Sequence, residues 1–163
     1  MSKTLYIIRH AKSSWAEVGA RDIDRTLNDR GHTDAPKMAE ILRGGGVMPD
    51  LIVSSPAKRA FTTAQYFAKA FGIAIKDIDI QHAIYEATTD ELLSVVRDLP
   101  NKADIVLMFG HDPGFTYFAN QFTSNYIDNL PTCGIVRLDL ASDKWEDFNE
   151  KTVLMKDMWF PKM

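Results

Sequence analysis

Asp104-Ile105-Val106-Leu107-Met108-Phe109-Gly110-His111-Asp112-Pro113-Gly114 is the stretch whose reading decides the fold. Its apolar run is continuous rather than alternating, which predicts a strand over Asp104 to Phe109 covered on both faces, as in a parallel sheet packed between helices. The residues after Gly110 stop that run. Asp112 before Pro113 predicts a cap and the first position of a helix that continues to about Phe122. The same grammar occurs twice upstream. Thr4 to Ile8 is a β-rich run ended by Arg9 and His10. Leu51-Ile52-Val53 runs into Ser54-Ser55-Pro56, where serine is expected as cap and proline as the opening of a helix that Gly72 ends after Phe71.

The remaining segments fill in around these strands. Ala11 to Leu27 has no sustained period and is expected as a loop. Gly31 precedes Ala35, Met38, Ala39 and Leu42, spaced for one helical face, and Gly44-Gly45-Gly46 stops that helix. Ile75 to Ile80 predicts an edge strand, and Thr89 to Leu99 a helix with Leu92, Leu93 and Val96 on one side. After Pro131 the pattern predicts two strands, Ile135 to Leu138 and Trp145 to Leu154, around an Asp-Lys turn. Strand-helix alternation without repeats or linkers implies one α/β domain over residues 1–163, a three-layer α/β/α sandwich with a mainly parallel sheet.

Composition narrows the function classes. The chain has 163 residues, 45% hydrophobic and 25% charged, which are globular proportions for one domain. Its single cysteine, Cys133, makes no internal disulfide, so a disulfide-stapled secreted module is excluded. The net charge of -3 supplies no general attraction to nucleic acid. The apolar run near the amino terminus, Leu5 to Ile8, is too short for a signal core or a membrane span, and a cytoplasmic location is expected.

In open α/β sheets ligands bind beyond the carboxyl ends of strands, so Arg9-His10, the Ser54 to Arg59 turn and Gly110-His111 are candidates to converge on one pocket. Two arginines, two histidines and two helix starts make an anion site. Guanidinium forks match phosphate oxygens, and a neutral imidazole among them is a competent nucleophile toward phosphorus. The plainer alternative for any one of these residues is a solvated strand terminus.

The motifs carry a resemblance. Arg9-His10-Ala11-Lys12-Ser13 resembles the Arg-His-Gly signature of the histidine phosphatase superfamily, the phosphoglycerate mutase-like enzymes. Leu27-Asn28-x-x-Gly31 is similar to that family's opening of the first helix, Ser54-Ser55-Pro56-x-x-Arg59-Ala60-x-x-Thr63-Ala64 to its second phosphate-binding segment, and Gly110-His111-Asp112-Pro113 to the segment bearing its second histidine. The Arg-His-Ala-Lys-Ser opening, Asp24-Arg25-x-Leu27-Asn28 and Tyr85-Glu86-Ala87 look most like the SixA type of phosphohistidine phosphatase. A chain of this length also has little room for a lid over the substrate.

The resemblance implies a phosphoglycerate mutase-like fold and a metal-independent phosphatase without a cofactor. His10 would be the nucleophile and Glu86 the proton donor and later base. Arg9, Arg59 and His111 would hold the phosphoryl group, with Ser13 as a further contact. The implied substrate is phosphohistidine in a phosphorylated protein. A small phosphate ester is the alternative within the same chemistry, and a phosphate-binding interaction domain without turnover is the alternative outside it. No nucleic-acid or membrane partner is expected, and the oligomeric state is left open.

Two positions depart from the family pattern: Ala11 replaces the glycine after the histidine, adding a methyl group near the phosphate, and Ala16 stands where asparagine is frequent. Lys12 and Lys58 are expected to flank the site, His32 and His82 to lie on the surface, and Cys133, Trp145, Trp159 and Phe160 to serve packing.

Overall fold

A computed structural model describes residues 2–15 and 19–162 of the chain; Ala16 lies outside the described residues. In chain order the strands are β1 (Lys3–Arg9), β2 (Leu51–Ser54), β3 (Asp79–Ile80), β4 (Ile105–Gly110), β5 (Ile135–Leu140) and β6 (Val153–Trp159). The helices are α1 (Asp29–Gly44), α2 (Lys58–Phe71), α3 (Thr89–Arg97) and α4 (Gly114–Ala119). The strands form one sheet in the order β3-β2-β4-β1-β5-β6. β1 pairs in parallel with β4, Ile7 beside Met108 and Arg9 beside Gly110, while β5 runs antiparallel to both β1 and β6. One reversed strand in an otherwise parallel sheet, with helices on both faces, is the α/β/α sandwich that the alternation implies.

Side-chain alternation explains why the β1 and β4 runs are apolar throughout. Leu5, Ile7, Val106 and Met108 face the layer of α3 and α4, where they meet Leu92, Val96, Phe115 and Phe118. Tyr6, Ile8, Leu107 and Phe109 face the other layer and meet Met38 and Leu42 of α1 and Phe67 and Ala68 of α2. The two central strands thus place their carboxyl ends side by side under cover of both helical layers.

Several boundaries move from their expected places, each for a local reason. α1 starts before Gly31 because the Asn28 side chain caps it, accepting the Gly31 N–H at 2.9 Å. Gly31 is needed for close approach: a Cβ there would stand 2.2 Å from the Lys12 carbonyl oxygen. α2 starts at Lys58 rather than Pro56, and its cap position, Ala57, makes no side-chain bond; the Ser55 hydroxyl accepts the Ala57 N–H at 3.1 Å instead. Gly72 ends α2 in the left-handed conformation, as expected. Of the strand expected over Ile75 to Ile80 only the last two residues pair, because Ile75–Asp77 winds into a 3-10 turn. Trp145 also sits in a 3-10 turn, fully buried, with its indole N–H donated to the Ala103 carbonyl at 2.8 Å, so the last strand begins at Val153 instead. α4 stops at Ala119 and continues to Phe122 as a 3-10 turn.

Candidate active site

A cavity of about 890 Å³ opens at the carboxyl end of the sheet, lined among others by Arg9, His10, Ser13, Arg59, Glu86 and His111. All six side chains expected at the site therefore share one cavity. Lys12 lines it too, whereas Lys58 is exposed and absent from the lining residues. β1 delivers Arg9 and leads directly into His10, β4 leads through Gly110 into His111, and α2 presents Arg59 from its second residue. The start of α4 contributes less than expected: the helix has only six residues, and its Thr116 N–H is already taken by the Asp112 carboxylate at 3.0 Å.

His10 has a fixed backbone and a defined tautomer. Its N–H donates to the Gly110 carbonyl at 3.0 Å, its carbonyl accepts from the Cys133 N–H at 3.0 Å, and the next amide, that of Ala11, donates to Thr63 Oγ1 at 3.0 Å. Nδ1 lies 2.7 Å from the Ala11 carbonyl, which only accepts, so the ring proton sits on Nδ1 and the lone pair on Nε2. Burial first, and then the charges of Arg59, Arg9 and Arg25, lower the His10 pKa to about 4. The imidazole is neutral at pH 7 and nucleophilic at Nε2. Ala11 is fully buried in the core beneath α1 and α2, so its methyl group fills that core rather than crowding a phosphate.

His111 faces His10, the ring centroids 5.3 Å apart. Burial, the neighbouring His10 and Arg59 lower its pKa to about 3. Its Nε2 lies 2.7 Å from Ser55 Oγ, and that oxygen already accepts the Ala57 N–H. With the Ser55 hydroxyl donating to Nε2, the His111 proton sits on Nδ1. Buried polar atoms are nearly always paired in folded proteins. Among the described residues, three buried side-chain nitrogens have no hydrogen-bond partner: Arg9 Nε, Arg59 Nε and His111 Nδ1. All are donors in this arrangement, and all belong to this site.

Other residues complete the cavity. Ser13 accepts a hydrogen bond from Arg25, whose guanidinium also stacks 3.3 Å from the Trp15 ring centre. Asp22 is bonded to Arg59, Arg25 and Tyr85. Glu86 follows Tyr85 on the cavity wall with φ 55, a left-handed conformation uncommon for a non-glycine residue. Arg25, Asp22, Tyr85 and Ser55 have site positions that the motifs left without a role. The signals for the first two are the charge run Arg21-Asp22-Ile23-Asp24-Arg25 inside a loop just beyond β1 and, for Arg25, the Asp24-Arg25-x-Leu27-Asn28 motif. Among the described residues no group of His, Cys, Asp and Glu side chains is placed to hold a metal ion, and no helix is long and apolar enough to cross a membrane.

The model of the histidine phosphatase superfamily (branch 1) matches residues 5–92, more than half of the chain. The chain belongs to the histidine phosphatase superfamily. An uncharacterised chloroplast protein of Arabidopsis thaliana is 31% identical over 155 residues, covering 90% of this chain and 71% of that one. A protein of Agrobacterium tumefaciens provisionally assigned as the phosphohistidine phosphatase SixA superimposes with a TM-score of 0.81 at 28% identity, over 98% of each chain. A SixA-type protein from Nakamurella multipartitia has the same fold, with a TM-score of 0.82 at 24% identity over 99% and 97% of the two chains. As a member of this superfamily the histidine phosphatase described here is a hydrolase, and its fold is that of the SixA structures.

Proposed function

We propose that this histidine phosphatase removes the phosphoryl group from phosphohistidine in a phosphorylated protein, through a covalent intermediate on His10, with residues 1–163 acting as one catalytic domain. One observation carries the reading: three buried, unpartnered donors, Arg9 Nε, Arg59 Nε and His111 Nδ1, in the cavity that also holds the neutral His10. The side chains that bear these donors line the cavity, and a phosphoryl group there offers oxygens to them and an electrophilic phosphorus to the imidazole. In the first step the His10 Nε2 lone pair attacks phosphorus while the bond to the substrate nitrogen breaks, and the leaving imidazole takes a proton. In the second step water attacks the phosphorylated His10, releasing inorganic phosphate and restoring the neutral ring. Arg9, Arg59 and His111 balance the charge that builds on the equatorial oxygens, so no metal ion or cofactor is called for. Glu86 stands on the cavity wall as proton donor in the first step and base in the second, and Ser13 reaches the phosphoryl group while holding Arg25. A cavity of about 890 Å³ is large for a phosphate alone and supports a sizeable carrier.

The test is to quench the enzyme during turnover of a labelled phosphohistidine protein. Wild type is expected to carry an acid-labile, base-stable phosphate and His10→Ala none, with activity lost by about four orders of magnitude or more. Label persisting in His10→Ala would sink the mechanism. A kcat/KM higher for sugar phosphates than for the phosphohistidine protein would reassign the substrate to a small ester.

A further inference from the structure

The loop between β1 and α1 carries an anion into a cavity that is otherwise rich in cations. Asp22 is one of the lining residues, and its side chain, 44% exposed, is held from several directions. Oδ1 accepts from Arg25 Nη1 at 3.1 Å, and Oδ2 accepts from Arg59 Nη2 at 3.0 Å and from the Tyr85 hydroxyl at 2.6 Å. The Asp22 carbonyl accepts from Arg59 Nη1 at 2.6 Å. These contacts, Tyr85 foremost, pull the Asp22 pKa down to about 2, so it is ionised at any working pH.

Arg9, Arg25, Arg59 and Lys12 outnumber the other two carboxylates of the cavity lining, Glu86 and Asp112, and without Asp22 would attract polyanions with little discrimination. Asp22 changes that in two ways. It accepts one N–H from each terminal nitrogen of Arg59, which fixes the orientation of that guanidinium. It also sets a negative charge beside the phosphoryl position, where a second anionic group on the substrate would meet repulsion. A neutral carrier meets none, and a protonated imidazole is attracted.

We propose that Asp22 is a specificity-determining residue, a fixed anion that admits one phosphoryl group on a neutral or cationic carrier and turns away substrates bearing a second anionic group. The proposal rests on the phosphatase reading above and narrows its substrate class. Asp22→Asn is the variant of choice, because it keeps the shape and an oxygen for Arg59 and Tyr85 while removing the charge. Two ratios are measured in the intact enzyme. One is kcat/KM for glycerol 3-phosphate against 3-phosphoglycerate, and the other is calorimetric affinity for inorganic phosphate against pyrophosphate.

In Asp22→Asn both ratios are expected to shift toward the more anionic compound by about fivefold or more, with a smaller shift at high salt. Asp24→Asn removes the same charge from an exposed residue paired with Arg21 outside the cavity lining, and is expected to leave both ratios in place. A uniform loss in Asp22→Asn with unchanged ratios would overturn the proposal and leave Asp22 as a residue that only positions arginines. Where esters turn over too slowly the binding ratio decides alone. Failure of wild type to bind phosphate at all would instead overturn the anion-site reading, and this inference with it.

Discussion

Lys3 and Arg9 are the two ends of one strand, and each places a cation against the core. Lys3 is 2% exposed, and its ammonium is fully used: it donates to the Asn101 carbonyl at 2.7 Å, the Asp104 carboxylate at 2.9 Å and the Ala103 carbonyl at 3.4 Å. Arg9 donates one terminal nitrogen to the Leu130 carbonyl at 2.8 Å, yet its buried Nε has no partner. The amino end of β1 is thus a finished structure and the carboxyl end an unfinished one. Burial of a cation does not mark a functional site; incomplete hydrogen bonding of a buried cation does. Folding free energy is spent at the carboxyl end on holding donors ready, which a phosphoryl group repays.

Substitutions at the two ends should therefore separate activity from stability. At the carboxyl end, in the cavity that Arg9 shares with Arg59 of α2, the largest effect of this comparison is expected for Arg59→Ala, which removes a preorganised donor and should cost on the order of 3 kcal/mol in transition-state stabilisation, more than a hundredfold in kcat/KM, with the fold retained by circular dichroism. A loss below tenfold would mean that its unpartnered Nε has no part in the reaction. Lys3→Met should do the reverse. It leaves the Asn101 carbonyl and the Asp104 carboxylate without the ammonium, while the Ala103 carbonyl keeps the Trp145 indole, so urea denaturation should show a loss of about 1–3 kcal/mol while kcat/KM stays within about twofold of wild type. An inactive but fully folded Lys3→Met would break the distinction between the two ends.

The smallest effect is a pH dependence of stability. His10 and His111 have folded pKa values of about 4 and about 3, below the ordinary histidine value of 6.5. Between those limits the unfolded chain binds more protons than the folded one, so stability rises with pH and falls as the solution is acidified from about pH 6.5 toward pH 4. Denaturation at pH 5 and pH 7 should show this difference in wild type and a smaller one in His111→Gln. A wild type equally stable at both would mean that folding does not lower the pKa values of these histidines.

Much of this site was legible because strand ends are legible. Continuous apolar runs located β1, β2 and β4, and the polar residues after them, Arg9, His10, Ser55 and His111, had to emerge at one rim. Asp22 belongs to no motif, and Tyr85 stands in Tyr85-Glu86-Ala87 without a role of its own, since both come from irregular segments where no period says which way a side chain turns. Ser55 stands at the entry to α2, as Ser-Pro signals, but the helix begins only at Lys58, and the Ser55 hydroxyl that accepts the Ala57 N–H also meets His111, distant in sequence. Trp145 was misread as strand for a similar reason: its β propensity is real, but its indole is used to satisfy the Ala103 carbonyl across the fold. Each error is a tertiary partner overriding a local preference.

The bonds that fix the His10 backbone have a consequence for how the enzyme fails. The His10 and Ala11 main chain is tied to Gly110 at the end of β4, to Cys133 before β5 and to Thr63 of α2. Fraying of the two-residue edge strand β3, or of β6 at the opposite edge, breaks none of these ties. Amide exchange at His10 and Ala11 therefore belongs to the slowest class in the molecule, opening with the central sheet rather than ahead of it. The His10 backbone should then hold its geometry until the central sheet melts, and heat should extinguish catalysis and cooperative structure at the same temperature.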